Sequence, residues 1–148
     1  MSEQMQAITL WQPWASFIAW GFKLIETRTH NRFRCLVGQR IAIHAGLRFD
    51  ETAEQRARAW MGDQQWHQLQ AYLARDGYPR LQIVCSAYVL ASRRLTAQDS
   101  SLALCDCGGG DLYGLRLSYV RPPRSMLASI RGHQGIWPVP VDMMEALA

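Results

Sequence analysis

Three charged residues in one short segment, Lys23, Glu26 and Arg28, have the types and spacing that could perform chemistry. They form a Gly-x-Lys-x-x-Glu-x-Arg strip directly after a predicted aromatic helix. Glu26 is the only carboxylate between Glu3 and Asp50. A lysine beside a carboxylate can bind a phosphate, orient a base amide, or transfer a proton when its pKa is perturbed. The alternative is a structural ion pair between Glu26 and an arginine, which the residue types alone do not exclude.

Two tryptophans next to this strip could form the wall of a binding site. Trp11, Gln12 and Trp14 lie in a predicted turn between a strand and a helix. Nucleic-acid sites stack bases on aromatic faces and place cations nearby. Trp11 is the better candidate for a pocket wall, because Gln12 and Lys23 could supply polar contacts beside it. The alternative for a tryptophan on an apolar helix face is packing in the core.

A loop near the end of the chain adds a cation, a histidine and an amide. The loop reads Arg131-Gly-His-Gln-Gly135, so two glycines flank His133 and Gln134 before Ile136 and Trp137. Such a loop can present backbone N–H groups and an amide to a base edge or a phosphate. The alternative is an ordinary turn before the last strand. We interpret His44, at the end of a buried strand, as a hydrogen-bonded core histidine.

The four cysteines do not indicate a metal site. Cys105 and Cys107 are two residues apart, whereas zinc knuckles use Cys-x-x-Cys, and no second ligand pair stands at metal spacing. We therefore predict neither a metal nor a cofactor. The N-terminal residues lack the pattern of a secretory signal, so we expect a cytoplasmic protein whose cysteines are reduced.

Composition and charge point to one domain that binds a polyanion. The 148 residues are 49% hydrophobic and 19% charged, and no apolar run reaches the length of a membrane span. The net charge is +4, and residues 27–49 and 112–141 contain arginines but no acid. If these two stretches meet in the fold, their positive face favours nucleic acid. The alternative is a solvated surface with chance segregation of charge.

The hydrophobic pattern predicts short strands with interposed helices. We expect strands at residues 6–10, 24–28, 40–44, 81–91 and 112–120, and a helix that begins near Pro13 and stops at Gly21. Two helices between residues 50 and 76 hold many acids, so we expect them to lie away from the basic face. Residues 100–111 are predicted to form a flexible loop. This pattern is typical of an α+β domain with a small, mostly antiparallel barrel or curled sheet and flanking helices.

Five motifs, in order, resemble those of the ASCH domain family, which is named after a transcriptional coactivator. They are Leu10-Trp-Gln-Pro-Trp-Ala15, the strip that ends at Arg28, Arg40-Ile-Ala-Ile-His-Ala45, Tyr113-Gly114, and the loop from Arg131 to Trp137. The resemblance implies one ASCH domain over residues 1–148, with the PUA-like β-barrel fold of a superfamily that mostly binds RNA. It also implies a cleft beside the first helix that carries Lys23, Glu26 and Arg28.

The resemblance leaves two activities open. The chain looks closer to the coactivator-type branch, for which we expect RNA or single-stranded nucleic acid to bind at Trp11, Gln12, Trp14, Lys23, Glu26, Arg28, Arg131, His133 and Gln134. A small bacterial branch hydrolyses N4-acetylcytidine with a lysine, a threonine and a glutamate. Lys23 matches that lysine, but Glu26 replaces the threonine and no acid lies in the strand at residues 81–92. The alternative is therefore a metal-independent hydrolase of RNA or a modified nucleoside, with Lys23 and Glu26 as catalytic residues. A third reading is a protein-interaction surface around Trp14.

Overall fold

The computed structural model describes residues 4–148 and shows an α+β fold built on one six-stranded mixed sheet. The strands are β1 (Gln6–Gln12), β2 (Ile25–Arg28), β3 (Arg40–Phe49), β4 (Gln82–Arg94), β5 (Tyr113–Arg121) and β6 (Ile136–Pro138). Their order in the sheet is β2-β5-β4-β3-β1-β6. All neighbouring pairs are antiparallel except β1 and β3, which run parallel with Ile8 opposite Ile43. The five predicted strands are therefore confirmed, and several extend beyond their predicted ends.

The predicted closure of the sheet into a barrel is wrong. Strands β2 and β6, of 4 and 3 residues, form the two edges of the sheet, and they do not pair with each other in the part of the chain described. Because these two strands do not pair, the sheet remains open. Their shortness limits the row of unpaired backbone groups that the open edges present.

Within the described residues, five α-helices lie between or beside the strands. They are α1 (Trp14–Ala19), α2 (Ala53–Arg58), α3 (Asp63–Asp76), α4 (Ser100–Ala103) and α5 (Val141–Leu147), and 3₁₀ helices span Arg32–Leu36 and Ala97–Asp99. Gly21 follows the end of α1 with φ of +84°, a conformation in which glycine has no Cβ penalty. The predicted stop of the first helix is thus confirmed. Among residues 4–148, no helix has both the length and the apolar character that a bilayer crossing needs.

The core lies on both faces of the sheet, because Ile8 and Ile43 belong to one buried cluster while their strand neighbours Ala7 and Ala42 belong to another. One cluster packs α1 against β1, β3, β4 and β5, with Ile8, Ile18, Ile43 and Leu117 all fully buried. The prediction of a flexible loop at residues 100–111 is wrong in its first third. Residues 100–103 form α4, and Cys107 is buried beside the edge strand β2.

Candidate functional site

A cleft of about 1270 Å³ lies beside α1 and brings together segments that are distant in the sequence. The end of β1, strand β2, the end of β3, helix α2 and the loop before β6 all contribute to its lining. Eight of the nine predicted site residues line this cleft, namely Trp11, Trp14, Lys23, Glu26, Arg28, Arg131, His133 and Gln134. We call its buried side, formed by Lys23, Glu26 and His44, the floor. We call its solvent side, formed by Trp11, Arg32, Arg48, Arg131 and Gln134, the rim.

Lys23 is buried in the floor. Its side chain is among the largest that are fully enclosed, and the residue is 1% exposed. Its Nζ donates a hydrogen bond to the carbonyl oxygen of Ala103 at 2.5 Å and lies 4.9 Å from the ring centre of Trp14. Lys23 forms no salt bridge with any residue between 4 and 148. Burial lowers the pKa of the Lys23 ammonium, although the Glu26 carboxylate acts in the opposite direction.

Glu26 and Arg28 point to the same side of β2, as their spacing predicts. Glu26 is 5% exposed, and one of its oxygens accepts a hydrogen bond from the Thr27 backbone at 2.9 Å. Its other oxygen lies 3.8 Å from a guanidinium nitrogen of Arg28. The Arg28 guanidinium lies over the ring of Phe33 at 4.8 Å, and its buried Nε has no hydrogen-bond partner among the residues described.

The rim on the β1 side consists of a tryptophan and an arginine in contact. Trp11 is 48% exposed, and the Arg48 guanidinium carbon lies 5.3 Å from its ring centre. Trp14 is less exposed than Trp11, and its indole N–H donates a hydrogen bond to a carboxylate oxygen of Asp50 at 3.0 Å. Burial raises the pKa of Asp50, but hydrogen bonds from Trp14 and Thr52 outweigh it and lower the pKa overall.

The other side of the rim is tied to the floor by a chain of hydrogen bonds. The indole N–H of Trp137 donates to the Thr9 hydroxyl at 2.9 Å, and Thr9 Oγ1 lies 3.1 Å from Nδ1 of His44. Nε2 of His44 lies 2.7 Å from the carbonyl oxygen of Ile130. Neutral His44 with its proton on Nε2 satisfies every member of this chain. The interpretation of His44 as a hydrogen-bonded core histidine is confirmed, and burial lowers its pKa.

Gln12 has a different role from the one predicted. It is fully buried, and its amide nitrogen donates to the Ser16 hydroxyl at 2.8 Å and to the Pro79 carbonyl at 2.7 Å. Its amide oxygen accepts from the Ser16 backbone at 3.0 Å. The Gln12 side chain fixes the turn between β1 and α1 and does not line the cleft. The neighbouring Trp11 faces the opposite way on the strand and does line the cleft.

The sequence patterns missed several residues that line the cleft. Arg32 and Arg48 were placed only in a basic stretch, and Arg56 belongs to the helix α2 that we expected to lie away from the basic residues. Arg56 forms a salt bridge with Asp50 and lies 5.4 Å from the Trp14 ring centre. The only available signal was the spacing of Ala53 and Ala57, which fixes the buried face of α2 and leaves Arg56 outside it.

Charged side chains of both signs line the cleft, but in unequal numbers. Six are the cations Lys23, Arg28, Arg32, Arg48, Arg56 and Arg131, and two are the carboxylates Glu26 and Asp50. Both carboxylates are engaged by an arginine of the same set. Within the described range 4–148, no group of three His, Cys, Asp or Glu side chains is placed to hold a metal ion.

Comparison with solved structures relates this fold to one group of proteins. No protein-family model matches the chain, and no curated protein does. The crystal structure of ASCH from Zymomonas mobilis aligns with a TM-score of 0.58 at 15% identity, covering 97% of this chain and 92% of that chain. A mutant of the same protein aligns with a TM-score of 0.51 at 16% identity, covering 96% and 92%. This chain therefore has the fold of the ASCH domain, as the order of its motifs predicted.

Proposed function

We propose that the cleft beside α1 binds nucleic acid, most favourably single-stranded RNA, as expected of a coactivator-type ASCH domain. The observation that carries this proposal is the meeting of cations from two distant basic stretches around one exposed tryptophan. Arg28, Arg32 and Arg48 come from the first stretch and Arg131 from the second, and all four line the same cleft as Trp11. Single-stranded sites combine these two features, a cationic groove and an aromatic stacking platform.

The rim arginines would contact phosphates. Arg32, Arg48 and Arg131 are exposed and form no salt bridge with any residue in the described part of the chain. A free guanidinium binds phosphate oxygens through paired N–H groups. Deeper in the cleft, the unsatisfied Nε of Arg28 offers a donor that a ligand oxygen would complete.

The exposed tryptophan and the last loop would contact the bases. Trp11 presents one ring face with Arg48 beside it, so a base could stack on the platform while its phosphate meets the guanidinium. His133 and Gln134 are exposed at the opposite side of the cleft. Their polar groups can read base edges, which single-stranded RNA leaves available.

Two arginines of one 3₁₀ helix allow a matched test of this proposal. Arg32 and Arg34 are both exposed on Arg32–Leu36, but only Arg32 lines the cleft. We expect Arg32→Ala to weaken binding of a labelled RNA of about ten nucleotides several-fold and to lower the salt slope by about 0.7. Arg34→Ala should bind as the wild type does, because its net charge change is the same but lies outside the cleft.

The salt dependence of the wild type gives the second measurement. If three phosphates are neutralised, affinity should fall about twentyfold between roughly 50 and 200 mM salt. Binding that ignores salt, or equal losses in Arg32→Ala and Arg34→Ala, would refute the cleft as the site of phosphate contact. A fluorescence-anisotropy titration of each variant at both salt concentrations distinguishes these results.

The buried charges of the floor favour a second candidate function, a metal-independent hydrolase of RNA or a modified nucleoside. Lys23 combines a lowered pKa with a position next to Glu26, and perturbed residues in a cleft are candidates for proton transfer. In this reading Lys23 would move a proton to or from the scissile group and Glu26 would orient the ligand or a water molecule.

Product analysis tests the hydrolase directly. The wild type, Lys23→Met and Glu26→Gln would be incubated with single-stranded RNA and separately with N4-acetylcytidine, and the products separated by chromatography. A hydrolase predicts a new product that disappears in both variants while each remains folded. If all three proteins leave both substrates unchanged and RNA binding is salt-sensitive, the hydrolase is excluded and nucleic-acid binding is the remaining function.

A further inference from the structure

Two cysteines lie close to each other at the edge of the cleft, and neither proposed activity uses them. Sγ of Cys105 lies 4.0 Å from Sγ of Cys107. Cys105 is partly exposed and lines the cleft, whereas Cys107 is buried against Ile25 and Leu95. The other two cysteines differ, since Cys35 is exposed on a 3₁₀ helix and Cys85 is buried in β4.

We propose that Cys105 and Cys107 are a reversible thiol–disulfide site, oxidised by a low-molecular-weight disulfide such as glutathione disulfide. A disulfide needs its sulfur atoms about 2 Å apart, so one or both side chains must move by roughly 2 Å in total. The local backbone permits such a movement. Residues 104–112 lie outside helices and strands, and three glycines, Gly108 to Gly110, come directly after Cys107.

The different burial of the two thiols sets the order of the steps. Burial raises the pKa of the Cys107 thiol to about 11, so this group is a weak nucleophile at neutral pH. The Cys105 thiolate, which solvent reaches from the cleft, attacks one sulfur of the small disulfide and displaces a thiolate. The Cys107 sulfur then attacks Cys105, its proton passes to the second departing thiolate, and the Cys105–Cys107 bond forms. The protein dithiol loses two electrons and two protons, and the small disulfide becomes two thiols.

Oxidation would also alter the surroundings of Lys23. The helix α4 ends two residues before Cys105, and its Ala103 carbonyl accepts the hydrogen bond from Lys23. The same helix accepts from the Leu24 backbone through the Leu102 carbonyl at 2.8 Å. The backbone of Cys107 in turn donates to the Ser100 hydroxyl at 2.9 Å. A ring closed between Cys105 and Cys107 therefore pulls on the segment that holds the lysine.

The test is a mass measurement of the full chain carrying Cys35→Ser, after equilibration with mixtures of reduced and oxidised glutathione. We expect a species lighter by two hydrogen atoms, with Cys105 and Cys107 in one cross-linked peptide and Cys85 still reduced. Cys107→Ser on the same background should instead gain one glutathionyl group at Cys105, because the resolving thiol is absent. Cys105→Ser should gain none, because Cys107 is buried.

Two results would overturn the proposal. One is a Cys35→Ser protein that keeps all three thiols free in excess oxidised glutathione. The other is a stable mixed disulfide at Cys105 in a protein that retains Cys107, since that shows that Cys107 does not resolve it. Neither result depends on whether the cleft binds RNA, so failure here and failure of the proposed function are distinguishable.

Discussion

The floor and the rim of the cleft hold their titratable groups in opposite environments. Lys23, Glu26 and His44 in the floor are at most 5% exposed, and each has a protein hydrogen-bond partner. Arg32, Arg48 and Arg131 on the rim are exposed. Buried charges cost stability and are found where their pKa or position is used, whereas solvated charges attract a ligand from a distance. Under the two functions we propose, the floor would carry the chemistry and the rim would supply the affinity.

The largest effect on stability is expected at Lys23. Lys23→Ala leaves a cavity and an unpaired Ala103 carbonyl, so the free energy of unfolding should fall by about 2–4 kcal/mol. Lys23→Met leaves the same carbonyl unpaired, but it fills most of the volume and removes the buried charge, so its loss should stay within about 1.5 kcal/mol. Urea unfolding measures both. Equal losses in the two variants would show that the ammonium itself stabilises the floor.

The next effect separates the rim from the floor by ligand affinity. Trp11→Ala removes the exposed ring that would stack on a base, which should cost about 1–3 kcal/mol of RNA binding, or roughly 5- to 150-fold. Its thermal stability should change little, since Trp11 is already 48% exposed. Trp60→Ala is the control, because Trp60 is 38% exposed and lies outside the cleft. Similar losses of affinity in both variants would contradict a stacking role for Trp11.

A third change probes the point at which rim and floor touch. A Cβ on Gly132 would lie 2.3 Å from the Thr9 hydroxyl and 2.6 Å from Nδ1 of His44. Gly132→Ala must therefore shift the loop or break the hydrogen bond between Thr9 and His44, at a cost of about 1–2 kcal/mol in unfolding free energy. Ser129→Ala, at an exposed position of the same loop, should stay within about 0.5 kcal/mol of the wild type. A stable Gly132→Ala would mean that the rim moves independently of the floor.

The smallest expected effect is a pH dependence from His44. Its folded pKa lies below 6.5, so between these two pKa values the unfolded chain binds more protons than the folded one. Stability should therefore fall as pH drops from 6.5 through the folded pKa, with a slope of at most about 1.4 kcal/mol per pH unit. His30 shifts in the same direction, so the readout is the difference in slope between wild type and His44→Gln from pH 7 to 5. Identical slopes in the two proteins would show that a group other than His44 causes the pH dependence of stability.

The sequence predicted the elements better than their assembly. Alternation and helical spacing located β1 to β5 and the first three helices, because local burial leaves a periodic pattern. The barrel was wrong because closure depends on whether two edge strands meet, and nothing in the periodicity of β2 or β6 encodes that. The helix α4 was missed because four residues are too few to show a period.

The candidate site shows the same limit at the level of single residues. Eight predicted side chains line one cleft, since the ordered motifs place them on turns and strand ends that face it. Trp11 and Gln12 are adjacent, but their side chains point in opposite directions. Gln12 is therefore buried in the turn between β1 and α1, whereas Trp11 lies on the rim. Arg56 was missed because the spacing of Ala53 and Ala57 shows which face of α2 is buried but not that α2 lies beside the cleft.

The pairing of β1 has a consequence for the timing of biosynthesis. This strand lies between β3 and β6, so its partners come from residues 40–49 and 136–138. Trp11 and Arg131 can face each other only after the ribosome has released nearly all of residues 6–138. Until then, a nascent chain holds Trp11 and Arg131 on separate, unassembled segments, and an RNA-binding surface that needs both would become available only when translation of the fold is complete.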